Sequence, residues 1–232
     1  MGPAANREPL LIPRFIAIAA GMGLLTGWSV GLPCAVVVRP DPPSEFIAVA
    51  NRFHDTVVEV RRPVTGFPSL LMPSGAAVIV APDLAITTMQ ALGSAPQGSA
   101  PQTVVLAGAA LPVQSAQVVG TLPAYGLAIV RLSHPASIDL PAEMSAPASG
   151  ENLIVLGSGD DAVDVMGVTV IGVRGDLFGL VSNRMIDSRF WGGPLLDVQG
   201  RLVGICLPSI PEPVAVTAAT LRLFLSQFTA AR

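Results

Sequence analysis

Residues 187–206 read DSRFWGGPLLDVQGRLVGIC, and this stretch decides which fold the chain adopts. A Gly-Gly-Pro turn at 192–194 comes first, and an apolar strand at 195–198 follows it. Gln199-Gly200 then forms a hairpin turn, and a second strand occupies 202–205. We therefore expect a β-hairpin here, entered through a tight glycine turn.

The same pattern of short apolar runs between turn residues extends along the chain. Its 23 glycines and 22 prolines are spread between these runs, which is typical of proteins built from many short strands. A linker rich in Pro, Ser and Ala at 133–150 separates two series of strands. The first series is predicted at 56–61, 75–81, 84–87, 103–107, 113–120 and 127–132, and the second at 152–157, 165–173, 178–182, the two strands of the hairpin and 214–216. Helices are predicted at 45–53 and 218–228, the latter with Leu221, Phe224, Leu225 and Phe228 at helical spacing.

Charge and reactive side chains are scarce. Charged residues make up only 12% of the chain, 16 acidic and 13 basic, so no surface for nucleic acid is expected. All 13 basic residues are arginine, which excludes mechanisms that need a lysine amine. Two cysteines, Cys34 and Cys206, form no disulfide framework, and two histidines, His54 and His134, form no zinc cluster. The composition therefore predicts neither a metal nor another cofactor.

An uncharged segment at 15–38 precedes the predicted domain. It exceeds the roughly 20 residues that span a bilayer. We predict a transmembrane anchor, with a signal peptide as the alternative, because the sequence around Pro33 is a poor cleavage site. Arginines before the segment place residues 1–14 in the cytoplasm. The prolines of 39–44 form a stiff linker to the domain.

The turn at 187–194 resembles the nucleophile turn of trypsin-like serine proteases, and more closely that of the HtrA/DegP branch, which reads Gly-Asn-Ser-Gly-Gly-Pro-Leu. Residues 74–92 are similar to the segment that carries the family's histidine, and residues 124–132 to the one that carries its aspartate. The resemblance implies an all-β fold of two six-stranded Greek-key barrels. The first barrel is expected at 45–132 and the second, with a C-terminal helix, at 151–232, with no PDZ domain after it.

By this resemblance Gln90 stands at the histidine position, Gly126 at the aspartate position and Trp191 at the serine position. The triad needs a hydroxyl nucleophile, an imidazole base and a carboxylate that orients the imidazole. None of the three residues present supplies its role, and Arg189 replaces a glycine that shapes the oxyanion turn. We therefore predict that the chain is not an enzyme but a catalytically degenerate pseudoprotease.

No other group of residues offers a substitute mechanism. His54 and His134 are expected away from the cleft, and Cys206, in a strand, is expected to be a small buried hydrophobe. The acidic cluster at 160–164 fits a solvated turn better than a calcium loop.

Trp191 has two interpretations, and both stay open. A large side chain there either fills a vacated active site or anchors a partner. In the second case Phe190 and Arg189 beside it are further candidate contacts.

The resemblance and the uncharged segment together imply a single-pass protein of the bacterial inner membrane, with the barrels in the periplasm. The expected role is a protein-binding module or an accessory subunit of a membrane complex. Its partners would be other membrane proteins or extended peptide segments that add to a sheet edge. Two alternatives remain: a serine-protease-like hydrolase with a non-standard active site, and a metal-associated pseudoprotease.

Overall fold

The computed structural model describes residues 44–64, 67–93, 103–108, 111–137, 143–159, 163–209 and 212–229. The predicted anchor at 15–38 and nearly all of the linker lie outside these residues. Within the described ranges, no helix combines the length and the apolar character needed to cross a membrane. The described strands form two closed antiparallel barrels of six strands each.

The first barrel follows a short helix, α1 (Glu45–Phe53). Its strands pair in the order β1-β2-β3-β6-β5-β4, and a one-turn helix, α2 (Met89–Leu92), follows β3. The strands are β1 (Val57–Val64), β2 (Phe67–Ala81), β3 (Leu84–Thr88), β4 (Thr103–Gly108), β5 (Leu111–Leu122) and β6 (Leu127–Leu132). Thr88 caps α2, because its Oγ1 accepts a hydrogen bond of 3.2 Å from the Ala91 N–H.

The second barrel pairs its strands in the order β10-β11-β12-β9-β8-β7 and ends in a helix, α3 (Ala218–Thr229). Its strands are β7 (Asn152–Ser158), β8 (Val163–Arg174), β9 (Leu177–Val181), β10 (Pro194–Leu196), β11 (Leu202–Leu207) and β12 (Val214–Thr217).

A shared core joins the two barrels. Side chains alternate along each strand, so Val58 of β1 faces the interior of the first barrel while its neighbour Val57 faces the second barrel. Phe53 of α1 and Leu221 of α3 lie in this shared core together with Leu156 of β7. Full burial of one such side chain contributes about 1.5–3 kcal/mol, so the contact between the barrels is a large part of the stability.

The predicted all-β fold of two six-stranded barrels and a C-terminal helix is confirmed. Apart from β2, every strand begins and ends within three residues of its predicted bounds, and two of the differences have a clear physical reason. β2 begins at Phe67 rather than at residue 75, because its first half pairs with β1 outside the barrel despite its prolines. β10 ends at Leu196 rather than at residue 198, because the Asp197 carboxylate accepts hydrogen bonds from the N–H groups of Gln199 and Arg201 and starts the hairpin turn early.

Candidate functional site

The turn before β10 is built around a single carboxylate. Asp187 caps a 3₁₀ turn at Ser188–Phe190, and its Oδ1 accepts a hydrogen bond of 3.0 Å from the Arg189 N–H. The Trp191 N–H donates in the same turn to the carbonyl of Ser188, at 3.2 Å. By the resemblance, Arg189 stands in place of a glycine that shapes an oxyanion turn. In this structure the N–H groups of Arg189 and Trp191 are both hydrogen-bonded within the turn.

Gly192 brings this turn against the first barrel. Its φ is +91°, and a Cβ atom here would lie 2.2 Å from the carbonyl oxygen of Ala76, so only glycine fits. The Trp191 carbonyl accepts a hydrogen bond of 2.9 Å from the Ala76 N–H, and the Gly192 N–H donates to the Cys206 carbonyl at 2.8 Å. Trp191 therefore lies where a turn of the second barrel meets β2 of the first.

Gln90 and Gly126, which the resemblance aligns with the other two triad positions, lie close together on the first barrel. Gln90 is exposed on α2, and the N–H of its neighbour Met89 donates to the carbonyl of Gly126 at 2.7 Å. Thr87, just before α2, donates through Oγ1 to the Ala76 carbonyl at 2.7 Å and so connects this side to the Trp191 turn. An amide, a missing side chain and an indole occupy the three positions, so a Ser-His-Asp mechanism cannot use them.

Arg189 joins the turn to β8. Its guanidinium contacts the Asp187 carboxylate at 2.8 Å and the Asp164 carboxylate at 2.7 Å. The hydrogen bonds from Arg189 hold the pKa of Asp187 below its usual value, although partial burial of the carboxyl opposes this. Arg189 was a candidate partner contact, but its positive charge is already paired with two carboxylates of this chain. Asp164 belongs to the predicted acidic cluster, of which residues 160–162 lie outside the described chain.

The remaining candidates are a buried phenylalanine, a buried cysteine and two histidines. Phe190 is only 3% exposed and packs in the core of the second barrel, so its side chain positions the turn and does not face a partner. Burial raises the pKa of Cys206 to about 12. His54 is exposed at the end of α1 beside Asp55, and the His134 N–H donates to the Gln114 side chain at 2.8 Å. Nowhere in the described chain do three or more His, Cys, Asp or Glu residues gather as a metal site would require.

A cavity of about 710 Å³ opens beside Trp191, and the sequence did not predict it. Ile171 and Met185 line it with 51% and 81% of their surfaces exposed. The lining comprises Ile171, Leu180, residues 181–188, Trp191, Ser209, Glu212 and Pro213. The one signal in the sequence was an apolar pair, Met185-Ile186, within an otherwise polar loop.

A second contact between the barrels lies next to position 126. Tyr125 donates its hydroxyl to the Asp176 carboxylate at 2.5 Å, and Asp176 lies in the turn between β8 and β9. This hydrogen bond raises the pKa of Tyr125 and lowers that of Asp176, although both groups are exposed to solvent. It ties the loop that carries Gly126 to the second barrel.

Comparison with known proteins supports the fold. No protein-family model matches the chain, and no curated protein matches its sequence. Similar solved structures include the Rv3671c protease from M. tuberculosis in its active form, with a TM-score of 0.64 and 18% identity over 88% of this chain and 93% of that one. The MamO protease domain from Magnetospirillum magneticum has a TM-score of 0.59 and 22% identity over 75% of this chain and 97% of its own. A serine endoprotease from Yersinia pestis has a TM-score of 0.66 and 16% identity over 82% of this chain and 69% of its own. At these identities the likeness shows the fold, that of trypsin-like serine protease domains.

The same comparison corrects one prediction. We predicted from Gln90, Gly126 and Trp191 that the chain is not an enzyme, and this is contradicted by structural neighbours that are named proteases. The prediction assumed that activity on this fold depends on those three positions alone. The three residues exclude a Ser-His-Asp mechanism at these three positions, and this is a narrower statement than the absence of any enzymatic activity.

Proposed function

We propose that the chain is a polypeptide-binding domain with a trypsin-like fold, and that an extended segment of another protein places an apolar side chain in the cavity beside Trp191. The observation that carries the proposal is that cavity of about 710 Å³. Its size lies within the roughly 300–1,000 Å³ usual for ligand pockets.

The lining of the cavity favours an apolar ligand group. Ile171, Met185 and Trp191 present apolar surface, and Met185 is 81% exposed at the rim. Large exposed apolar side chains around a concavity are typical of binding sites, and methionine adapts its shape to different partners. Trp191 is suited to act as an anchor, since tryptophan is enriched at the centres of protein interfaces.

The backbone beside the cavity favours an extended partner. β10 pairs with β11 only as far as Ile205, and the turn at 192–193 bonds to Cys206. Among the described residues, Leu207 then has a strand partner only on its β12 side, through Val214. Ser209, two residues further on, lines the cavity. A peptide that lies along this edge would reach the cavity with its side chains.

We further propose that residues 15–38 anchor the domain in a bacterial inner membrane, with the barrels in the periplasm. The partner would then be another membrane protein, in a complex to which this chain contributes as an accessory subunit. The uncharged segment and the short linker at 39–44 support this part of the proposal.

Peptide binding to the full chain in detergent tests the proposal. Substitution Trp28→Phe leaves Trp191 as the one tryptophan, so a library of extended peptides can be screened by its fluorescence. We expect peptides with large apolar residues to bind, and Trp191→Ala to weaken the best of them at least tenfold, as judged by isothermal titration. Val113→Ala, at a side chain that is 65% exposed and outside the cavity, is the control and should bind unchanged. Equal affinities of the two variants would overturn the proposal.

Peptide hydrolysis is a second candidate function, and the names of the structural neighbours favour it. The bound peptides can be recovered from the same titrations and analysed by mass spectrometry. New termini within a peptide, formed in proportion to protein concentration, would make the cavity the site of a hydrolase. Intact peptides after long incubation would speak against this candidate alone.

A further inference from the structure

We propose that a hairpin projecting from the first barrel contacts the surface of an anionic lipid bilayer. β4 pairs with β1 only as far as Arg61, and β3 pairs with β2 only from Ala77 onward. Beyond these points, in the described chain, residues 62–64 of β1 pair with β2 alone, and residues 67–73 of β2 pair with β1 alone. We call these two segments the arm.

The arm exposes large apolar side chains. Phe67 is 66% exposed, Leu70 55% and Met72 53%. A two-stranded hairpin has no third strand or helix to cover such residues, and it is marginally stable alone. Grouped exposed apolar side chains mark a surface that contacts something else.

The charge of the arm favours an anionic partner. No acidic residue occurs from residue 60 to residue 82, where Arg61 and Arg62 are the charged residues, whereas the whole chain has a net charge of −3. Arg61 is paired with Glu59 at 2.7 Å. Arg62 is exposed, and no carboxylate of the described residues forms an ion pair with it. Phenylalanine, leucine and methionine beside an arginine form the combination that inserts at the interface of anionic membranes.

The backbone of the arm disfavours a protein strand as the partner. Pro63 in β1 and Pro73 in β2 have no N–H to donate, and prolines at a sheet edge block strand addition. A bilayer needs only side-chain contacts. If residues 15–38 are an anchor, which is part of the proposed function, the six residues 39–44 reach at most about 20 Å and keep the domain at the membrane surface. The apolar and cationic character of the arm is observed independently of that anchor.

Fluorescence quenching on the reconstituted full chain tests the inference. In a Cys34→Ser background, with Cys206 buried, an environment-sensitive label is attached through Leu70→Cys or, as the matched control, through Leu223→Cys. Leu223 is an exposed leucine on α3, 71% accessible. Vesicles of phosphatidylcholine, with or without about one third phosphatidylglycerol, carry a nitroxide quencher just below the headgroups.

We expect the label at position 70 to be quenched at least threefold more than the label at 223, and more strongly in the anionic vesicles. Arg62→Gln should remove most of the dependence on the anionic lipid. A second labelled variant, Phe67→Cys, should behave like Leu70→Cys. Equal quenching at positions 70 and 223 would overturn the inference. It would also be overturned if the label at 70 were protected from solvent only after a cavity-binding peptide is added, because the arm would then contact a polypeptide. Peptide binding itself is measured separately, by the fluorescence of Trp191.

Discussion

From the sequence, Trp191 was expected either to fill space in the domain or to contact a partner, and in the structure it has both kinds of surroundings. Its indole packs against the core of the second barrel and also lines the cavity. A side chain that only filled a vacated site would leave no cavity of about 710 Å³ beside it. Packing on one side restricts the indole, so less conformational entropy is lost when a partner covers the other side. The residue is therefore a rigid anchor in our proposal.

Asp187 is the residue that holds the Trp191 turn. Its carboxylate accepts from the Arg189 backbone and pairs with the Arg189 guanidinium, and its pKa is lowered in the folded chain. A lowered pKa contributes stability above the unfolded value of about 3.9, and this stability is lost as pH falls through the folded value. We expect Asp187→Asn to lower the free energy of unfolding at pH 7 by about 1 kcal/mol, since the pair is partly exposed.

The pH dependence separates this effect from a general loss of packing. The difference between Asp187→Asn and the unaltered chain, measured by urea denaturation, should shrink below about pH 4. Glu143→Gln, at an exposed carboxylate, is the control and should change little at any pH. A difference that stays constant from pH 7 to pH 3 would contradict the assignment.

At the scale of elements, the turn between β9 and β10 depends on its fit against β2. A Cβ at Gly192 would lie 2.2 Å from the Ala76 carbonyl, and φ is +91°. We expect Gly192→Ala to cost about 2–4 kcal/mol, because both strain and displacement of the turn follow. Gly172→Ala on β8 is the matched control: a Cβ there has no heavy atom within 4 Å. Its urea midpoint should stay near that of the unaltered chain, and equal losses in the two variants would show that the close approach is unimportant.

The elements that the sequence predicted well are those with local signals. Leu127–Leu132 and Glu45–Phe53 have their predicted bounds, because apolar periodicity and flanking turn residues mark both ends. The first half of β2 was missed because prolines argue against a strand, and here they are tolerated on an arm outside the barrel. Asp197 was read as part of a strand, although its buried carboxylate forms the turn.

The candidate site, like the fold, could be predicted from the sequence only in part. Positions 90, 126 and 191 were singled out from motifs as candidates, and hydrogen bonds connect their neighbourhoods in the structure. The cavity was not found, because Ile171, Met185 and Glu212 are distant in sequence and meet only through the closure of the second barrel. Chemistry at single positions was also too narrow a basis for excluding an enzyme, as the named proteases among the structural neighbours show.

At the scale of the whole molecule, α1 and α3 bind the barrels together. Phe46 and Phe53 of α1 and Leu221 of α3 are in the shared core. Phe228, near the end of α3, packs directly over Gly120 of β5 in the first barrel, where an added Cβ would lie 2.1 Å from the ring. α3 thus contacts the first barrel through Phe228, and α1 packs beside Gly200 of the second barrel through Phe53. Neither barrel can lose its structure without exposing apolar surface of the other.

We therefore expect the two barrels to unfold in one cooperative step. A buried thiol in each barrel, one native and one introduced by substitution, can report on this step. Cys206 lies in the second barrel, fully buried, and its pKa of about 12 keeps it unreactive in the folded chain at pH 8. In a Cys34→Ser background its labelling by a disulfide reagent should appear only with global unfolding. Ala85→Cys, combined with Cys206→Ala, places the probe in the buried interior of the first barrel. Coincident urea midpoints for both thiols and for far-ultraviolet circular dichroism are the expected result. Labelling of one thiol at clearly lower urea would show that its barrel opens independently, and that the shared core contributes less than its composition indicates.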